Sequence, residues 1–396
     1  MLIRNISLLH GKELDYIQST SVRISGKNIG QIGTKLSPQK NEVTLDGEGL
    51  LMMPGLVNSH THIGDSIAKD IGIDSGVEEK IHPVSGFKQK ILKNSDKHHL
   101  TSFVKNSCIS MIRKGITSFI DFREGGSQGI DLLKNATLGI PIRPVILGRI
   151  EYYQDLRSIK NNTSIPQFHK SSLQNFLLDC DGLGISGPNE FSDSALQYFA
   201  KTRKIRAIHS AETEESNKIS KKISGKTETQ RALLAKPNFL VHMTYASKKD
   251  LVLAIKNRAS IVVCPRANAS LAEGIPDVDV MLDAGCNIAI GTDNVMINSP
   301  DMFREMDYLW KVSMAMKKKR LAPKDILKMA TTNASKLLGG KIGIIQTGNM
   351  ADCIFIEKHS IDLEPMHNPH ASIVHRASEN AIKAVMYEGK LAHGKI

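Results

Sequence analysis

The stretch Pro54-Gly55-Leu56-Val57-Asn58-Ser59-His60-Thr61-His62 constrains the fold more than any other: it is an apolar run ending in two histidines two positions apart. In a β-strand, residues i and i+2 project to the same side. His60 and His62 therefore aim two imidazoles at one point, which is half of a metal site. A histidine pair at a strand end also suits hydrogen bonding without a metal. What decides between the two is whether later strands deliver further ligands, with a base beside them.

The residues that follow alternate short β-branched runs with helical patterns, the texture of repeated βα units and a parallel sheet. Strands are predicted over 51–58, 115–122, 142–148, 182–186, 205–209, 239–242, 260–264 and 286–291. Between them, apolar residues recur near a 3.6-residue period, as at Phe103, Val104, Cys108, Met111 and Ile112 in a helix expected over 100–114, and again over 250–257. Eight such units predict an α/β fold, a (β/α)8 TIM barrel over residues 51–343 whose active site lies at the C-terminal ends of the strands. The first 50 residues and residues 344–396 read instead as short strands broken by Gly and Asn turns. Chain ends commonly lie together, so one small β-sandwich domain built from both termini is expected, 1–50 plus 344–396.

Composition narrows the function classes. A chain of 396 residues that is 41% hydrophobic and 23% charged can bury a large core. No apolar run approaches the roughly 20 residues of a membrane span, and Met1-Leu2-Ile3-Arg4 lacks a signal-peptide layout, so no membrane partner and a cytoplasmic location are expected. Cys108, Cys180, Cys264, Cys286 and Cys353 are scattered without C-x-x-C spacing, which suits a reducing compartment and core packing. The net charge of +12 comes from dispersed lysines, and the densest run, Lys317-Lys318-Lys319-Arg320, reads as a solvated helix end. With aromatics at 5% no base-stacking surface is expected, hence no nucleic-acid partner.

The predicted strand ends carry the chemistry. His60 and His62 end strand one, His209 strand five and His242 strand six, and Asp293 follows strand eight in Gly291-Thr292-Asp293. Imidazoles with a carboxylate suit a divalent ion, zinc first, with iron or manganese as alternatives. Glu212, one short turn beyond His209, can reach a reacting group without binding the ion, and is the proton-shuttle candidate.

With these residues in place the chain resembles the amidohydrolase superfamily, in the cytosine-deaminase-like branch that includes guanine deaminase, S-adenosylhomocysteine deaminase and the triazine chlorohydrolases. The resemblance runs from Pro54-Gly55-Leu56-Val57-Asn58-Ser59-His60-Thr61-His62 through His209-Ser210-Ala211-Glu212, His242, Cys264-Pro265-Arg266-Ala267-Asn268 and Gly291-Thr292-Asp293 to Gly348-Asn349-Met350-Ala351-Asp352. It implies one metal held by His60, His62, His209 and Asp293, with His242 beside the attacking water and the developing oxyanion. Glu212 and Asp293 would carry protons. It implies no bridging carboxylated lysine, and Ser186-Gly187-Pro188-Asn189 offers none.

The activity so implied is hydrolytic deamination of an amino-substituted heterocycle or nucleoside. Opening of a cyclic amide, as in imidazolonepropionase-like relatives, or a chlorohydrolase-type reaction is the alternative, and a catalytically silent scaffold is the reading from another class. A small-molecule substrate and, as in many relatives, a homo-oligomer are the implied partners. The chain departs from the nucleoside deaminases at Pro188-Asn189-Glu190, where they carry Pro-His, and at Gly64–Asp70, which lacks their Trp-Leu element. Substrate contacts are expected from Arg123, Arg149, Asn189, Arg266 and Asn268. Ion pairs of the arginines with Glu124, Glu151 or Glu273 are the competing reading. Asp301 is expected to cap the helix after strand eight.

Overall fold

Gly55 divides the apolar run of the opening motif between two sheets. A Cβ there would lie 2.3 Å from Thr117 Oγ1, so only glycine lets the chain cross at this point. The computed structural model describes residues 1–76, 79–80, 86–317 and 321–396. Before the crossing come β1 (Leu2–His10), β2 (Asp15–Ser25), β3 (Asn28–Gly33), β4 (Thr44–Asp46) and β5 (Leu50–Pro54). After it come β6 (Leu56–His62), β7 (Ile116–Arg123), β8 (Arg143–Gly148), β9 (Gly182–Ile185), β10 (Ile205–Ser210), β11 (Phe239–His242), β12 (Ser260–Val263), β13 (Ile288–Ile290) and β14 (Asp293–Asn294). The chain then returns with β15 (Cys353–Glu357), β16 (Ile382–Tyr387) and β17 (Lys390–Gly394).

The terminal strands form one eight-stranded sheet in the order β17-β16-β15-β5-β1-β2-β3, with β4 on β1. Both chain ends contribute to it, as expected, although it is a single hydrogen-bonded sheet where a sandwich was expected. Ile3, Ile6, Leu8, Val22, Met52 and Phe355 pack its core. Residues 51–58, read from sequence as one barrel strand, split here. β5 pairs antiparallel with β15, and only β6 enters the second sheet. Pro54-Gly55 marks a break in the run, but with both flanks apolar and buried it does not tell that the two halves enter different sheets.

The second sheet is parallel and curled, in the order β13-β12-β11-β10-β9-β8-β7-β6-β14. Its remaining strands fall within a few residues of their predicted places. Alternation along β7 shows the layering: Ile120 and Phe122 face an inner core with Val145, Leu147, Val241 and Val262, while Phe119 faces the outer helices. Helix Lys97–Arg113 supplies Val104, Cys108, Met111 and Ile112 to that outer core, with Asp96 accepting the His98 and His99 amides at its start. Phe103, counted on the same face from sequence, is 39% exposed. Helix Met302–Lys317 is preceded by Asp301, whose Oδ1 accepts the Arg304 amide as expected of a cap. The basic run at Lys318-Lys319-Arg320 lies outside the described residues. All five cysteines are buried and free, and no described helix is long and apolar enough to cross a membrane.

Candidate metal centre and its cavity

Parallel pairing brings the C-terminal ends of β6, β10, β11 and β14 to one mouth, and with them all five predicted ionisable residues. His60 Nε2 lies 3.3 Å from His209 Nε2 and 3.3 Å from Asp293 Oδ1. His62 Nε2 lies 3.4 Å from His209 Nε2 and 3.6 Å from Asp293 Oδ1. Gly291 makes this approach feasible, since a Cβ there would stand 2.6 Å from the His60 Cβ. Asp293 (φ 60°) and His242 (φ 73°) both hold left-handed backbone, as do Ala211 (φ 50°) and Met243 (φ 56°). Such conformations cost non-glycine residues about 1–3 kcal/mol each and cluster where a side chain must be aimed. The Met243 amide donates to the Ser210 carbonyl at 2.9 Å and the Tyr245 amide to the Ala211 carbonyl at 2.8 Å, which holds the turns.

The outer nitrogens determine what the inner ones offer. His209 Nδ1 donates to the Ile185 carbonyl at 3.1 Å, and His62 Nδ1 donates to Glu124 Oε1 at 3.0 Å. Each Nε2 is then a bare lone pair directed at the others. Burial pushes His60 and His209 below the usual imidazole range and His62 down to about 3, so all three are neutral. Burial alone would raise the Asp293 carboxyl, but the hydrogen bond from His60 opposes it, and Asp293 is held well below the carboxylate range. The His62 and His209 lone pairs face one another beside the Asp293 carboxylate, and a cation would remove their repulsion. Two triads share His60, His60-His62-His209 and His60-His242-Asp293, and imidazoles with a carboxylate fit a borderline divalent ion.

His242 Nδ1 stands 3.2 Å from Asn268 Oδ1 and His242 Nε2 3.5 Å from Glu212 Oε1. Asn268 in turn donates to Thr244 Oγ1 at 3.1 Å, which fixes its amide so that Oδ1 faces the ring. Burial pushes the Glu212 carboxyl up to about 7.

A cavity of about 500 Å³ opens onto the site, with His62, His209, Glu212, Lys88, Arg149 and Asn189 in its wall. Of the five substrate-contact candidates, Arg149 and Asn189 reach this cavity. Asn189 Nδ2 donates to the Ser216 carbonyl at 2.9 Å. Arg123 lies beneath His62, paired with Glu124 at 3.1 Å, and Asn268 stands behind His242. Arg266 is held by Glu305, 3.4 Å away and fully buried. Arg149 pairs with Glu124 at 3.4 Å rather than with Glu151. Sequence reading thus missed Glu124 as the partner of His62, and missed Lys88, a buried lysine in the cavity wall whose neighbours Phe87 and Gln89 give no hint of it. The adjacent pair Arg123-Glu124 at a strand end was the available signal.

The amidohydrolase family model matches residues 51–392. Over 395 residues the chain is 36% identical to a protein of Methanothermobacter thermautotrophicus, covering 99% of this chain and 98% of that one. It is 27% identical to the 5-methylthioadenosine/S-adenosylhomocysteine deaminase of Pyrococcus furiosus, covering 99% and 94%. Its fold matches atrazine chlorohydrolase from Arthrobacter aurescens TC1, solved as a zinc complex, with a TM-score of 0.83 at 18% identity over 98% of this chain and 94% of that one. The chain belongs to the amidohydrolase family.

Proposed function

We propose that this protein is a metal-dependent hydrolytic deaminase of an amino-substituted heterocycle or nucleoside, a hydrolase of carbon–nitrogen bonds other than peptide bonds. The observation that carries the reading is the placement of Glu212, 3.5 Å from His242 and in the wall of a cavity that also exposes His62 and His209. A relative named for nucleoside deamination, aligned over 99% of this chain, supports the same chemistry. β13 and β14 are read as two halves of the eighth strand, separated by Gly291 and Thr292, so that pairing with β12 on one side and β6 on the other closes a (β/α)8 barrel. Residues 51–343 would form that catalytic domain, and 1–50 with 344–396 the small domain beside it. A cytoplasmic enzyme, with its five free cysteines reduced, fits this reading.

His60, His62, His209 and Asp293 would hold one divalent ion, zinc in the first instance. Such an ion, when bound, lowers the pKa of a water toward neutrality and strengthens it as a nucleophile. Asp293, ionised and facing the donor set, would take a proton from the attacking water. His242, whose Nδ1 proton is held by Asn268, turns Nε2 towards the oxygen that becomes negative as the ring carbon turns tetrahedral, and stabilises it when Nε2 carries a second proton. Glu212 delivers a proton to the ring nitrogen, is reprotonated from the hydroxyl that becomes the carbonyl, and delivers that proton to the departing amine, while the proton on Asp293 restores Glu212 at the end of the cycle. The balance is one water consumed, one carbonyl formed and one ammonia released.

Screening purines, pyrimidines, pterins and adenosyl compounds for ammonia release with zinc-replete protein tests the proposal. Ammonia equal to product is expected from at least one class. A new carboxylate without ammonia would replace deamination by ring opening.

A further inference from the structure

Glu124 has an arrangement that none of the expected site roles uses. It follows the last residue of β7, is 8% exposed, and sits under the metal donors. Its Oε1 is 3.0 Å from His62 Nδ1, 2.5 Å from Lys88 Nζ and 3.4 Å from Arg149 Nη1, and its Oε2 is 3.1 Å from Arg123 Nη2. We infer that Glu124 is a positioning residue for His62, fixing its tautomer and ring orientation so that Nε2 is available to the ion.

The inference rests on the reading of His62 as a ligand. Three cations around one buried carboxylate keep it an acceptor, so the proton between Glu124 and His62 stays on Nδ1 and the lone pair stays on Nε2. Carboxylate partners of ligating histidines raise ligand basicity as well as fixing the ring. Among the described donors the other histidines lack this support: His209 Nδ1 has a backbone carbonyl, and His60 Nδ1 has no hydrogen-bond partner. Lys88 and Arg149 contact the same oxygen and also line the cavity. The orientation of His62 is thereby tied to the cavity wall.

A carboxylate that merely neutralised three cations would act on the ion through its charge alone, so Glu124→Asp would bind zinc like the wild type. The discriminating readout is the zinc dissociation constant, measured by chelator competition on Glu124→Gln, Glu124→Asp and wild type, with the melting temperature of each metal-free protein alongside. Glu124→Gln is expected to weaken zinc binding by about 10–100-fold, and Glu124→Asp, which keeps the charge but withdraws it by one methylene from Nδ1, by an intermediate factor. Asp193→Asn, which takes a carboxylate from Arg231 and Lys226 outside the donor set, is expected to change stability alone. Zinc affinity of folded Glu124→Gln within about threefold of wild type, against the roughly 10–100-fold loss such partners command, overturns the inference. Glu124→Asp binding zinc like the wild type overturns it too, whether or not Glu124→Gln folds. A wild type that binds no zinc removes both this inference and the metal-site reading, whereas zinc bound equally by both proteins removes only the inference.

Discussion

His242 is gripped from both sides: Nδ1 lies 3.2 Å from Asn268 Oδ1 and Nε2 lies 3.5 Å from Glu212 Oε1. An amide fixed by Thr244 therefore sets the ring that meets the proposed proton shuttle. Asn268 was expected among substrate contacts, yet it does not reach the cavity wall. If it acts through His242, Asn268→Ala lowers kcat while leaving KM near wild type. A rise in KM at constant kcat would mark a direct substrate contact instead.

Glu212→Gln keeps the size of the side chain and removes its proton chemistry. Turnover is expected to fall by about 10²–10⁴-fold. Zinc content, measured by elemental analysis, should stay at the wild-type level, since Glu212 lies outside the donor groups.

Stripping the ion should lower stability as well as activity, because an ion that binds only the folded chain stabilises it by mass action, about 2.7 kcal/mol when present at a hundred times its dissociation constant. Calorimetry with and without chelator should show a lower melting temperature for the metal-free wild type. His209→Ala should show no such difference.

Glu305 provides a pH signature beside the site, with the Asp293 carboxylate among the charges that act on it. Burial pushes its carboxyl up to about 7 despite the Arg266 ion pair. Between the ordinary carboxyl range and pH 7 the folded state then binds more protons than the unfolded one, so this group makes stability fall as pH rises through that window. Denaturant titrations from pH 4.5 to 7.5 should show a shallower decline in Glu305→Gln than in wild type.

Much of the site was legible because strand geometry is simple. His60 and His62 share a face by the two-residue period, and His209, His242 and Asp293 meet them once parallel strands place their C-terminal ends together. What was not legible depends on distant partners. Arg266 and Glu305 are 39 positions apart, and Arg149 reaches back 25 positions to Glu124, so the nearer carboxylates Glu273 and Glu151 looked equally good on paper. Asn268 reads as a strand-end polar residue and becomes a support for His242 only through the short helix Pro265–Ser270 that follows β12. The change of sheet at Gly55 was hidden for another reason, since residues on both sides of it are buried.

The central claim is that ammonia release depends on one ion held by His60, His62, His209 and Asp293. Zinc titration into metal-free wild type, with ammonia release from the substrate found in the screen as the readout, tests it most directly. Activity is expected to rise from near zero to a plateau at one equivalent per chain. Ammonia release at full rate before any metal is added, or no release at any metal concentration, would contradict it.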